Sequence, residues 1–271
     1  MARTVLALIL TLLCWAAPAA AGQSMLMATT TSTEATGMLD YLMPMFTKDT
    51  GIEVKWTAVG TGKALKMGES CDVDVLMVHA PAAEKKFVDA GFGTGRTEFM
   101  YNDFVIVGPK ADPAKVKGDS VTKALPAIAK AKATFVSRGD DSGTDKAEKR
   151  LWKDAEMPVP DKEAWYLQAG QGMMQTLNMA AERGGYTLTD RGTYIKWESK
   201  AGANPALVIL VEGDSVLRNQ YSVIPVNPAH CPKAQKELAD KLANWVATPK
   251  IQKAIADFKL EGKQLFYPDA K

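Results

Sequence analysis

The stretch SMLMATTTSTEATGMLDYLMPMF, residues 24–46, contains a strand, a polar turn and a helix in succession. Ser24–Ala28 is a short apolar run, and Thr29–Gly37 is a cluster of hydroxyl residues. Met38, Leu39, Leu42, Met45 and Phe46 then recur at three- and four-residue spacing, the period of a helix with one apolar face. Gly51 closes that unit. The same plan repeats downstream. Ile52–Ala58 alternates apolar and polar residues as a strand and turns through VGTGKAL (Val59–Leu65) into a helix. Val73–Val78 reads as a buried parallel strand and Pro81–Ala90 as the helix after it. Strand, loop and helix, three times in about seventy residues, predict an α/β fold with parallel sheets.

Further along, strands are predicted at Asp103–Gly108, Ala133–Val136, Trp165–Gln168, Leu207–Val211 and Tyr221–Val226. Helices are predicted around Val121–Lys132, Lys146–Asp154, up to Arg183, Lys233–Ala247 and Ile251–Phe258. There is no internal repeat, and no Ser/Gly-rich tether separates two units.

The first residues read as an export signal. Arg3 precedes an apolar run from Val5 to Trp15, and small residues lead to an A-x-A site that places cleavage after Ala21. The run is too short to span a bilayer comfortably, and no later stretch is long and apolar enough to do so. Cys14 lies inside the apolar run behind Leu13, which argues against lipidation. The expected product is a soluble periplasmic protein that retains Cys71 and Cys231. In an oxidising compartment these are either a disulfide or two separate thiols.

Composition narrows the functional classes. The 271 residues carry 33 Lys+Arg against 31 Asp+Glu, a formal charge of +2, so a nucleic-acid-binding surface is not expected. Two histidines and three cysteines leave little for a metal centre. No G-x-S-x-G accompanies a candidate base, GTGK at Gly60–Lys63 lacks P-loop spacing, and GFGTG at Gly91–Gly95 is too short for a dinucleotide fingerprint.

What remains is a shared loop chemistry. Thr29–Thr33, Gly60–Gly62 and Ser137–Thr144 each lie between a strand and a helix. A helix N-terminus presents free N–H groups and a partial positive charge, and Ser or Thr adds hydroxyl donors. Several such loops aimed at one point make an anion site without net positive charge. SRGDDSGT, residues 137–144, is the sharpest of them. Arg138 can grip two oxygens of a tetrahedral anion, and Gly143 lets the backbone come close. Asp140 either pairs with Arg138 and fixes its rotamer, or accepts a hydrogen bond from a protonated oxyanion.

Seven stretches together are similar to a known family: Ala28–Gly37, Val59–Leu65, Asp72–Pro81, Tyr101–Pro109, Ser137–Thr144, Gln168–Leu177 and Tyr221–Pro228. The chain resembles the tungstate-binding receptors of bacterial ABC importers, class II periplasmic binding proteins. The resemblance implies two Rossmann-like lobes with parallel-type sheets joined by two crossing strands, near Tyr101–Phe104 and Asn219–Tyr221. Lobe 1 would be residues 22–102 and 221–271, and lobe 2 residues 103–220. It implies ligand contacts from Thr30, Thr31, Ser32 and Thr61 in one lobe and from Arg138, Ser142, Gly143 and Thr144 in the other. Asp140 would stand behind Arg138, and Gly170–Met173 would close the far side. His79 would lie near the site with no role assigned. The small residue expected before DVDVL is replaced by Cys71, which gives Cys231 a partner within reach of the same argument.

The expected function is capture of tungstate, with molybdate alike in charge and shape, by a monomer that delivers it to a permease subunit. No cofactor, no free metal cation and no catalysis are expected. The alternatives are a phosphate- or sulfate-binding receptor and an exported hydrolase of phosphate esters.

Overall fold

The computed structural model describes residues 22–270, so the expected export signal at 1–21 lies outside the described residues. The first unit forms as its pattern dictates. β1 (Gln23–Thr30) runs into a five-residue helical turn, α1 (Thr31–Ala35), and then into α2 (Met38–Thr50), which buries Met38, Leu39, Leu42, Met43 and Phe46. Gly51, in the left-handed region at φ 73°, ends α2. β2 (Ile52–Val59), α3 (Thr61–Glu69), β3 (Val75–Val78) and α4 (Pro81–Asp89) follow. β1 pairs in parallel with β2 from Gln23/Ile52 to Thr30/Val59 and with β3 from Met27/Val75 to Thr29/Met77. All four residues of β3 are buried, as a strand covered on both faces requires.

β4 (Thr97–Pro109) is thirteen residues long, well beyond the predicted Asp103–Gly108. After it come α5 (Val121–Ala131), β5 (Phe135–Ser137), α6 (Gly143–Asp154), β6 (Tyr166–Gln168) and α7 (Met173–Arg183). Next are β7 (Thr187–Asp190), α8 (Arg191–Ala201), β8 (Leu207–Val211) and β9 (Arg218–Pro225). α9 (Lys236–Val246), α10 (Pro249–Asp257) and the short strands β10 (Lys259–Leu260), β11 (Lys263–Gln264) and β12 (Tyr267–Pro268) complete the chain.

The sheets are mixed, which corrects the expectation of parallel-type sheets. β1–β2, β1–β3 and β5–β6 are parallel. β9 lies antiparallel to β3 and to β4, and β4 is antiparallel to β7 and β8. β4 and β9 thus run against all their partners, none of which is the next strand in sequence. The partner of β4 changes along its length. Thr97–Asp103 pairs with β9, and Phe104–Val107 pairs with β7. Apolar side chains collect on both sides of that change. Met27, Phe46, Trp245 and Phe266 lie in one core, and Phe135, Trp152, Tyr166 and Leu188 lie in another.

β7 and α8 escape a reading by periodicity. Thr187 and Thr189 are fully enclosed within β7, where polar residues read as a loop, because their hydroxyls donate to neighbouring carbonyls. α8 buries Tyr194, Ile195 and Trp197, which do not form one face, so its apolar period is weak.

Cys71 and Cys231 form a disulfide, with their Cα atoms 5.4 Å apart. It joins the end of α3 to the segment before α9 across 160 residues of sequence. Such a link restricts the unfolded chain. Replacing both cysteines with serine should lower the unfolding free energy by about 2–4 kcal/mol in urea titrations, and reductant should do the same to the native chain.

Candidate functional site

The polar loops converge. Thr30, Thr31, Ser32, Thr61, Arg138, Asp140, Ser142, Gly143 and Thr144 all line one cavity of about 380 Å³. Each residue expected from sequence as a ligand contact is therefore in one place. Two helices open on it. Gly60, in extended conformation, precedes α3, and Thr61 is that helix's first residue. Ser142 caps α6 by accepting from Asp145 N at 3.2 Å, so its own hydroxyl proton remains available to the cavity. Gly143 and Thr144, read from sequence as loop, are the first turn of α6.

The halves of the site approach closely. A Cβ on Gly143 would stand 3.1 Å from Thr61 Oγ1 and 3.4 Å from His79 Cε1. A side chain here would force those neighbours to give way. Gly139, at φ 59°, turns the chain between Arg138 and Asp140 against Gln168.

Two donors in the cavity wall lack partners among the described residues. Thr61 Oγ1 and Arg138 Nε are both buried without a hydrogen bond. An enclosed unsatisfied donor costs about 1–3 kcal/mol. Both belong to side chains that line the cavity, so an oxygen-bearing occupant would satisfy them.

Arg138 Nη2 pairs with Asp140 Oδ2. Asp140 Oδ1 accepts from Ser142 N at 3.2 Å. Burial alone would raise the Asp140 carboxyl, but Ser142 and Arg138 outweigh it and hold it below its ordinary value. Both carboxylate oxygens are engaged, so of the two roles open to Asp140 in sequence the geometry supports the first, fixing the guanidinium. Asp141 is bound by Lys146 at 2.6 Å. Lys63 also lines the cavity. Sequence reasoning passed over it, although GTGK placed a cation two residues after the start of α3.

Gly170–Met173 do not line this cavity. Gly170 N instead donates to the Arg138 carbonyl at 2.8 Å, so the loop braces β5 from behind.

His79 stands behind the first loop and is buried. Its Nε2 lies 3.0 Å from Thr30 Oγ1 and 3.1 Å from Ser32 Oγ, and its Nδ1 lies 2.8 Å from Asn219 Oδ1. Its ring stacks on Tyr221 with centroids 4.7 Å apart. Hydroxyl, imidazole and amide in this order have the spacing of a nucleophile, base and orienter. As a base, however, His79 is weak. Desolvation pushes its pKa below the ordinary value, only partly offset by Asn219 and the Asp190 charge, and Arg138 lowers it further. An amide in place of a carboxylate also leaves an imidazolium unstabilised.

Comparison with known proteins follows the same lines. A family model described as a PBP superfamily domain matches residues 16–250. The chain is 52% identical over 240 residues to the tungstate-binding protein TupA of Campylobacter jejuni, covering 89% of both chains. It is 47% identical over 252 residues to TupA of Peptoclostridium acidaminophilum, covering 91% of this chain and 86% of that one. Among solved structures it is similar to the tungstate binding protein TupA from Desulfovibrio alaskensis G20. That match has a TM-score of 0.86 and 69% identity, over 92% of this chain and all of that one. It is also similar to the structure titled the tungstate ABC transporter from Geobacter sulfurreducens. Here the TM-score is 0.76 and the identity 49%, over 87% of this chain and 98% of that one.

The buried imidazole gives a pH test. Its folded-state pKa is lowered, so the unfolded chain binds the extra proton as pH falls below the ordinary histidine value of 6.5. The stability due to neutral His79 is complete above that pH and is lost as pH falls toward the folded-state value. Urea titrations between pH 8 and 5 should show this loss in the native chain and a smaller one in His79→Gln.

Proposed function

The chain belongs to the tungstate-binding protein family of the PBP superfamily, and from that membership we propose that it captures tungstate in the periplasm and delivers it to the permease of an ABC importer. It is a binding protein and not an enzyme. The observation that carries the reading is the pair of enclosed, unpartnered donors, Thr61 Oγ1 and Arg138 Nε, in a cavity opened on by two helix N-termini.

The proposed contacts come from Ser32 and Thr31 on one side, with Thr61, and from Arg138, Ser142, Gly143 and Thr144 on the other. These residues hydrogen-bond the anion's oxygens, and none ligates the tungsten. Molybdate has the same charge and tetrahedral shape and fits the same donors. A protonated oxyanion such as hydrogen phosphate needs an acceptor, and of the two carboxylates that line the cavity Asp140 is turned to Arg138 and Ser142 and Asp141 to Lys146. That favours a fully deprotonated anion.

The change of partner along β4 supports a division into two lobes, residues 22–102 with 221–271 and residues 103–220. Ligand groups from both lobes make the bound anion favour the closed state, as in a hinged trap. All the cavity-lining residues belong to one chain, so a monomer suffices.

Calorimetric titration of the mature chain with tungstate, molybdate, sulfate and phosphate tests this. Tungstate and molybdate should bind, phosphate should bind far more weakly, and a chromogenic phosphate ester should not turn over. Arg138→Ala should lose about 1.5–3 kcal/mol, roughly ten- to a hundredfold in affinity. Unchanged tungstate affinity in that variant would overturn the assignment.

A further inference from the structure

Thr30 and Ser32 stand side by side on the anion loop and bond the same nitrogen, yet their surroundings differ. Thr30 is buried and Ser32 is partly exposed. Thr30 Oγ1 accepts from Thr33 N at 3.2 Å and shares a hydrogen bond with Thr33 Oγ1 at 2.7 Å, in which either hydroxyl can donate. Its proton has three possible targets, Thr33 Oγ1 at 2.7 Å, His79 Nε2 at 3.0 Å and Ser32 Oγ at 3.1 Å.

The far side of the imidazole decides between them. Asn219 donates Nδ2–H to Asn102 Oδ1 at 2.7 Å, and both amides also direct Nδ2 at the Tyr221 hydroxyl, at 3.4 Å. Oδ1 of Asn219 is therefore the atom facing His79 Nδ1, at 2.8 Å, and it can only accept. Nδ1 carries the hydrogen, and Nε2 of the neutral ring carries a lone pair. One lone pair takes one proton. Both residues line the cavity, but Ser32 is the more exposed to it and has it as a second target, whereas Thr30 is buried behind it.

We propose that His79 is a positioning residue for anion capture: locked as the Nδ1–H tautomer by Asn219 and Asn102, it takes the Thr30 hydroxyl proton on Nε2 and thereby leaves Ser32 as the hydroxyl donor of that loop. The charged groups that bear on the ring are the Asp190 carboxylate at the head of α8 and the Arg138 guanidinium at the end of β5. Their effects oppose each other. Thr30, expected from sequence to touch the ligand, becomes the group that holds the loop. Because Asn102 and Asn219 face each other across the β4–β9 ladder, the loop is tied to the strands that join the two sides of the fold.

The tautomer can be read without any ligand. Long-range proton–nitrogen NMR of the labelled mature chain at neutral pH should show His79 protonated at Nδ1 and bare at Nε2, with His230 as the internal comparison. An Nε2–H tautomer or an imidazolium would overturn the proposal. The affinity arm rests on the tungstate reading. An asparagine places an amide near Nδ1, and a glutamine places one near Nε2. His79→Asn, with no acceptor for Thr30, should lose about tenfold in tungstate affinity, whereas His79→Gln should stay within about threefold. Asn219→Leu should release the tautomer in the same spectra. Equal affinities for the two His79 variants would overturn the proposal. Failure of the native chain to bind tungstate would instead overturn the functional reading, with the tautomer still deciding this one.

Discussion

Antiparallel pairing between β4 and β9 is the constraint on which the site depends. Six residue pairs, from Thr97/Val223 to Asp103/Arg218, hold these strands together, and the next residue of β4 already belongs to a different partner, β7. The loops at Thr30 and Thr61 grow from strands on one side of that ladder, and Ser137–Thr144 grows from the other. The continuous strand β4 links the two sides on which α3 and α6 meet head to head. The alternation of partners also explains why the sheets are mixed.

Charge plays a smaller part than a binding site for an anion would suggest. Each acidic side chain in the SRGDDSGT loop is matched by a base nearby, Asp140 by Arg138 and Asp141 by Lys146. Asp145, just past the loop, is fully buried, accepting from Gly139 N and paired with Lys149 at 2.7 Å. These pairs hold backbone and guanidinium in place. On the proposed reading, the attraction for a ligand comes from amides, hydroxyls, the unpartnered Nε of Arg138 and the Lys63 cation in the cavity wall. A chain with 33 basic and 31 acidic residues can do this because the focus is geometric.

Much of this was legible in the sequence. Strand-to-helix units with Thr, Ser and Gly at the junction announced both the α/β class and the members of the cavity wall, because the same local chemistry caps a helix and offers donors. What escaped was set by distant contacts. Thr187 and Thr189 look like loop residues until β4 supplies their ladder. The three buried aromatic and apolar residues of α8 are explained by packing on more than one face. His79 could be marked as near the site, but its partner Asn219 is 140 residues away, and no spacing reveals it. The parting of roles between Thr30 and Ser32 depends on that partner. Lys63 was readable and was discounted with the false P-loop.

The opposed helix starts have a consequence for letting go. A site built around several fixed charges keeps its pull as it widens, since a charge's potential falls slowly with distance. Amides at a helix end act only within about the first turn. If α3 and α6 draw apart as the proposed trap requires, their dipoles cease to share a focus and the attraction weakens, leaving Arg138, already paired with Asp140, and Lys63. Retention is thus tied to shape, and a membrane partner that pries the two sides apart needs no competing anion to empty the cavity.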